Sequence, residues 1–249
     1  MIDFICRNGV ANLHLQAPAR GNALSASMVD ELLQAVHSAS ADETLHTLLL
    51  SGEGRHLCTG FDLSDLDAQT EGDLLLRFVR IEQVLDALWR APLRTVACAH
   101  GRTWGAGADL FAACDVRWIA ADASFRFPGA GFGLVLGTRR LTERVGMAMA
   151  RDWVGMGREI DATTALSTGL ATHRLAESDE PLRERLMALA SEPPAVDRLT
   201  QAALRQASNP TGAQAADADL AALVRSAARP GLKVRITEYS ARTRAAKKP

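Results

Sequence analysis

Several absences narrow the class of this chain before any motif is read. Aromatic residues make up 5% of its 249 positions, and 28 Lys and Arg face 29 Asp and Glu, leaving a formal net charge of -1. Without a basic excess there is no global field of the kind that non-specific nucleic-acid binding needs, and no acidic excess points to a cationic partner. No run of about 18 uninterrupted apolar residues occurs, the length a membrane span requires. The opening MIDFICRNGVANLHL lacks the long apolar segment of a secretory signal. The expectation is a soluble, cytoplasmic protein with neither nucleic acid nor membrane as partner. Cysteine is scarce as well: Cys6, Cys58, Cys98 and Cys114 lie far apart without a CxxC pair. That spacing argues against a disulfide framework and a zinc site, and each is expected to be a reduced thiol packed among small or apolar neighbours.

What is present is a chain with 47% hydrophobic and 23% charged residues, enough to bury a sizeable core in one globular domain. Residues 2 to 6 and 10 to 15 alternate around Arg7-Asn8-Gly9, predicting a β-hairpin. Ser25 or Ser27 can cap a helix that buries Val29, Leu32, Leu33 and Val36. His46 to Leu50, Thr95 to Ala99 and Ser124 to Phe127 read as strands. A helix over 72–90 places Leu75, Phe78, Val79, Glu82, Leu85 and Leu88 near helical spacing before Pro92. Beyond residue 138 the pattern turns helical: a segment capped by Asp161, and helices after Pro181 and around 195–207 and 217–228, punctuated by Pro193-Pro194, Asn209-Pro210 and Pro230-Gly231. The final stretch carries Lys233, Arg235, Arg242, Arg244, Lys247 and Lys248 and reads as a solvated helix face with a frayed end. Strand-loop-helix units joined by short loops predict an α/β layering. The expected division is a core over 1–190 and a helical region over 191–249.

Two glycine-rich loops carry chemistry. In CTGFDL a strand ends at small residues, which frees backbone N–H groups to point into a cleft; the Phe61 N–H is the donor expected there. In WGAGADL, Gly105, Ala106 and Gly107 turn into a helix N-terminus, where unpaired amides favour negative charge, and the Ala106 N–H is the second donor. Neither loop matches a Walker pattern or GxGxxG.

Taken together, NAL, CTGFDL, HGRTWGAGADLFAACD and FRFPGAGFGLVLGTRRLTERVG, in this order and spacing, resemble the crotonase, or enoyl-CoA hydratase/isomerase, superfamily over roughly residues 1 to 175. The resemblance implies a spiral of ββα units, with C-terminal helices completing a homotrimer or a dimer of trimers. It implies an acyl-CoA substrate with coenzyme A held around Arg20, Asn22, Ala23 and Leu24, and near Phe61, Asp62, Leu63, Ser64 and Ala106, with no metal and no cofactor beyond the coenzyme A moiety. It also implies an oxyanion hole. Proton abstraction next to a thioester, or addition to its β carbon, moves charge onto the thioester oxygen, and one such donor is worth roughly 3 to 4 kcal/mol of barrier.

Hydratases of that superfamily carry two glutamates, which by this resemblance fall at Asp109 and Gly129. Asp109 keeps a carboxylate that can act as acid or base; Gly129 cannot move a proton. Isomerisation or another one-carboxylate reaction is therefore expected over efficient hydration. A catalytically impaired acyl-CoA-binding or assembly subunit and an acyl-CoA hydrolase are the alternatives. Asp62 is expected to support its loop, His56 and Cys58 to pack rather than form a nucleophilic pair, His100 to pack at a strand end, and Arg126 and Trp104 to reach the acyl group only if they face the cleft.

Overall fold

The computed structural model describes residues 1–208 and 212–245. Asn209-Pro210 and the terminal Lys247 and Lys248 lie outside them.

The chain opens with the hairpin β1 (Ile2–Arg7) and β2 (Val10–Leu15), followed by helix α1 (Ala26–Ala41) and strand β3 (Thr47–Gly52). Helix α2 (Glu71–Arg90) leads to β4 (Arg94–Ala99), β5 (Arg102–Trp104), α3 (Ala106–Ala113), β6 (Val116–Ile119) and β7 (Ser124–Arg126). Then come α4 (Thr138–Val145), α5 (Met147–Met156), β8 (Ile160–Asp161), α6 (Ala162–Ser167) and β9 (His173–Arg174). Four helices finish the described chain: α7 (Leu182–Ser191), α8 (Arg198–Ser208), α9 (Gly212–Ala227) and α10 (Leu232–Ala245).

Six strands form the main sheet in the order β1-β2-β3-β4-β6-β9, and β5-β7-β8 form a second, smaller one. Apart from the β1–β2 hairpin, every pairing in the main sheet is parallel. Parallel neighbours need a crossover, and α1, α2 and α3 supply three in succession. β5 and β7 leave the main sheet for the second one, so β1-β2-α1, β4-β5-α3 and β6-β7-α4 each run strand, strand, helix. This is the crotonase-type α/β fold.

β2 and β3 are buried along their whole length because both faces of the sheet are covered. On one face α1, α2 and α3 build the main core, which Leu223, Ala227, Leu232 and Ile236 of α9 and α10 join. On the other, Leu186 and Ala190 of α7 meet Val10, Leu49, Val96 and Cys98. Local chemistry sets the helix starts. Ser25, not Ser27, accepts from the Met28 amide at 3.2 Å; Thr70 and Asp73 form a reciprocal capping box on α2; and Asp161 accepts from the Thr164 amide.

The structure departs from the sequence pattern in several places. The buried stripe of α2 runs through Leu74, Phe78, Ile81, Glu82, Val84, Leu85 and Leu88, leaving Leu75 and Val79 at its edge. Rotation of a helix by one residue is decided by what it packs against, not by its own periodicity. Cys6 is exposed because β1 is an edge strand, whereas Cys58, Cys98 and Cys114 are buried. α9 begins at Gly212, ahead of the expected 217. Lys233 and Arg235 do not belong to a solvated face. Lys233 Nζ donates to the Asp67 and Gln69 carbonyls, and Arg235 to those of Phe132, Arg229 and Pro230, so both bind α10 to the body.

Candidate active site

The first candidate turn follows Cys58. The Gly60 carbonyl accepts from the Leu24 amide at 2.7 Å, and the Leu24 carbonyl accepts from the Asp62 amide at 3.1 Å. In a trans peptide C=O and N–H are antiparallel, so the bond at Gly60 aims the Phe61 N–H away from Leu24. Gly60 has φ +93°, and a β-carbon there would lie 2.7 Å from the Trp104 carbonyl oxygen and 3.4 Å from the Ala106 nitrogen. Only glycine lets the two turns touch.

The second turn is Gly105, with φ 55° and ψ -131°, whose carbonyl accepts from the Ala108 and Asp109 amides at 2.8 and 3.1 Å as α3 begins. The same trans-peptide reasoning points the Ala106 N–H out of the helix N-terminus, where the helix dipole adds positive potential. Phe61 and Ala106 line one cavity, with Thr59, Phe78, Asp109, Pro128 and Gly129 around it. Its further wall comes from α10 through Ile236, Tyr239 and Ser240.

Asp109, one turn into α3, is 6% exposed. Burial pushes its carboxyl well above the ordinary value, the negative charge of Glu82 adds to the rise, and Arg140 partly opposes it. Gly129 begins a short 3-10 turn over Gly129–Phe132 and brings no side chain to the cavity. Within electrostatic reach of Asp109 lies a buried ion pair: Arg140 on α4 donates to both Glu82 oxygens at 3.2 and 2.7 Å, with the two side chains 1% and 3% exposed. Asp86 and Asp219 approach the same guanidinium at 3.7 Å. Desolvation raises the Glu82 carboxyl despite its hydrogen bonds from Arg140.

Among the residues expected around coenzyme A, Arg20, Leu63 and Ser64 are exposed, and Ala23 and Phe61 partly so. The Asn22 and Leu24 side chains face inward. Asn22 is fully buried, accepting from the Ala17 amide at 2.8 Å and donating to the Glu53 and His56 carbonyls at 2.9 and 2.8 Å; it pins the loop from inside. Leu24 fills the core. Asp62 accepts from the Ser64 amide at 2.9 Å and Arg20 at 3.1 Å. Burial works against its ionised form, but these bonds outweigh it and hold the carboxyl below the usual range.

Cys58 is fully buried and its thiol is pushed up to about 12 by desolvation. His56 Nδ1 accepts from the Arg102 amide at 3.0 Å, so the two form no nucleophilic pair. His100 Nε2 meets the Gly54 carbonyl at 3.1 Å, Arg126 donates to the Gly157 carbonyl at 2.7 Å, and Trp104 bonds Ser124 at 3.2 Å. Neither Arg126 nor Trp104 lines the cavity.

Three residues at or beside the cavity carried no sequence signal as site residues: Arg140, Tyr239 and Ser240. Glu82 did carry one. A carboxylate on the apolar stripe of α2 demands a buried cation, although its spacing could not say which.

The sequence model of the enoyl-CoA hydratase/isomerase family matches residues 6–244. The protein named probable enoyl-CoA hydratase echA6 in Mycobacterium leprae is 36% identical over 178 residues, 69% of this chain and 70% of that one. The mitochondrial Delta(3,5)-Delta(2,4)-dienoyl-CoA isomerase of Dictyostelium discoideum is 28% identical over 219 residues, 81% of this chain and 75% of its own length. A crystal structure from Bordetella parapertussis, described as an enoyl-CoA hydratase/isomerase, shares 40% identity with a TM-score of 0.89, covering 100% of this chain and 99% of that one. With the two glycine turns converging on one cavity, these matches lead to a plain conclusion: the chain belongs to the enoyl-CoA hydratase/isomerase family and is an enzyme acting on acyl-CoA.

Proposed function

We propose that the enzyme holds the thioester oxygen of an acyl-CoA between the Phe61 and Ala106 N–H groups and that Asp109 moves a single proton at the carbon chain beside it. The products are those of isomerisation or another one-carboxylate enolate reaction. The observation that carries this reading is the shared lining of one apolar cavity by both donor residues, the buried Asp109 and the side-chain-free Gly129.

Charge develops on the thioester oxygen as a proton leaves the α or γ carbon, and two aimed amides lower that barrier while the acyl chain lies in a dry pocket. A carboxyl raised by burial is a stronger base than an ordinary aspartate once ionised and still holds a proton at higher pH, so one group can take a proton and return it elsewhere on the chain. Concerted hydration needs a second group to position water. Gly129 offers none, and Tyr239 and Ser240 stand on α10 at the cavity wall instead.

Coenzyme A is expected to lie over Arg20, Ala23, Leu63 and Ser64, the exposed part of the entrance loops. The test is incubation with enoyl-, dienoyl- and malonyl-type CoA thioesters in heavy water followed by mass spectrometry. Deuterium in the chain, lost in Asp109→Asn, supports the reading; binding with neither deuterium nor product sinks it in favour of an impaired acyl-CoA-binding subunit.

A further inference from the structure

We infer that Arg77 is a positioning residue for the oxyanion hole, holding the peptide of Phe61 in register from its place on α2. The inference rests on Phe61 being one of the two thioester donors.

Arg77 touches the Phe61 loop on three sides. Its Nη2 donates to the Leu24 carbonyl at 3.1 Å and the Asp62 carbonyl at 3.0 Å, so one nitrogen joins the two strands of the Leu24–Phe61 bridge. Its Nη1 donates to Gln69 Oε1 at 3.0 Å, near the end of the same loop. Its guanidinium lies 3.8 Å from the centroid of the Phe61 ring, whose other contact is the stacked Phe78 ring at 4.5 Å. The ring is thereby held between a cation and an arene supplied by consecutive residues of one helix.

The consequence concerns the backbone. The peptide before Phe61 is fixed by the Leu24 amide on the Gly60 carbonyl. The next residue is fixed by its amide on the Leu24 carbonyl and by Arg77 on its own carbonyl. A donor that must meet an oxyanion at about 2.7–3.1 Å loses much of its value when displaced by about 1 Å. Arg77 does not line the cavity, so it acts through Phe61. Its planar fork matches this bridging and stacking task; a lysine ammonium keeps the charge but not the geometry.

The test uses Arg77→Lys and Arg77→Met in the full chain. Turnover is measured with the enoyl- or dienoyl-CoA thioester that the wild type converts, and the Raman stretch of the thioester carbonyl, which moves to lower frequency when aimed donors polarise it, is measured with a bound saturated acyl-CoA. In the wild type the stretch should fall on binding. In Arg77→Met it should return toward the free value, with kcat reduced by about tenfold to a hundredfold and KM changed by less than about threefold, short of the loss expected when a donor is removed outright; Arg77→Lys should be intermediate. An unchanged stretch and kcat in both variants overturns the inference, as does a raised KM with kcat intact, which would make Arg77 a coenzyme A ligand. If the wild type shows no lowering, the donor assignment itself fails, whatever Arg77 does. Should Arg77→Met fail to fold, the Lys variant alone decides.

Discussion

A β-carbon on Gly137 would lie 2.2 Å from Oδ1 of Asp109, so the backbone ahead of α4 is pressed against the carboxyl in the cavity. Gly137 has φ +65°, and the absence of a side chain there is what leaves space for the Asp109 carboxyl. Replacement by alanine combines a left-handed backbone, costing about 1–2 kcal/mol, with a clash against the reacting group. Gly137→Ala should lower the melting temperature and reduce deuterium incorporation by about tenfold or more, the scale on which a misplaced acid-base group fails. Acyl-CoA affinity by calorimetry should stay within a few-fold.

Asp109→Asn should reduce proton exchange by about a hundredfold to ten-thousandfold, the usual contribution of a positioned acid-base group. It should also stabilise the fold, with a definite pH dependence. The raised Asp109 carboxyl keeps its proton in the folded state at a pH where the unfolded chain has lost it. Stability is therefore full below the unfolded value, near about 4, and is lost as pH rises through the folded value. Denaturant titrations should show the Asp109→Asn variant and the wild type converging in acid, and the variant the more stable at about pH 8. A constant difference at all pH values would contradict the burial-driven rise.

The Glu82–Arg140 pair gives a third outcome. Breaking a buried pair by removing one partner costs about 3–5 kcal/mol. Arg140→Met should destabilise by that order, and Glu82→Leu combined with Arg140→Met by less. Glu82→Gln also removes the negative charge that helps raise Asp109, so the midpoint of the pH–rate profile should move to lower pH. A midpoint that stays fixed would show that Glu82 does not reach Asp109 electrostatically.

Gly129 offers a test by addition. A β-carbon there would stand 3.1 Å from the Leu134 carbonyl oxygen, so the variant needs that backbone to give by a few tenths of an ångström. Gly129→Glu should raise enoyl-CoA hydration by about tenfold or more, since it places a second carboxylate in the cavity. Hydration unchanged, with the variant folded and binding acyl-CoA, would show that more than one group is missing.

The legible parts of this site were those whose chemistry is local. Gly60, Gly105 and Asp109 announce themselves because turns and helix starts are written within a few residues, and the two turns do line one cavity. Asn22 faced the other way, into the loop, because the direction of a side chain on an irregular segment depends on the carbonyls of Glu53 and His56 far along the chain. Arg77 and Tyr239 were invisible for the same reason. The rotation of α2 and the placement of α10 come from packing, and the Lys233 and Arg235 bonds that dock α10 go to backbone carbonyls, which no residue pattern encodes.

The most direct measurement is a crystal structure with a saturated, unreactive acyl-CoA. The thioester oxygen should lie within about 3 Å of both the Phe61 and the Ala106 nitrogens, with the acyl carbons beside Asp109. A thioester oxygen bound to water or to other groups, with either amide unused, would contradict the assignment of the two turns as an oxyanion hole.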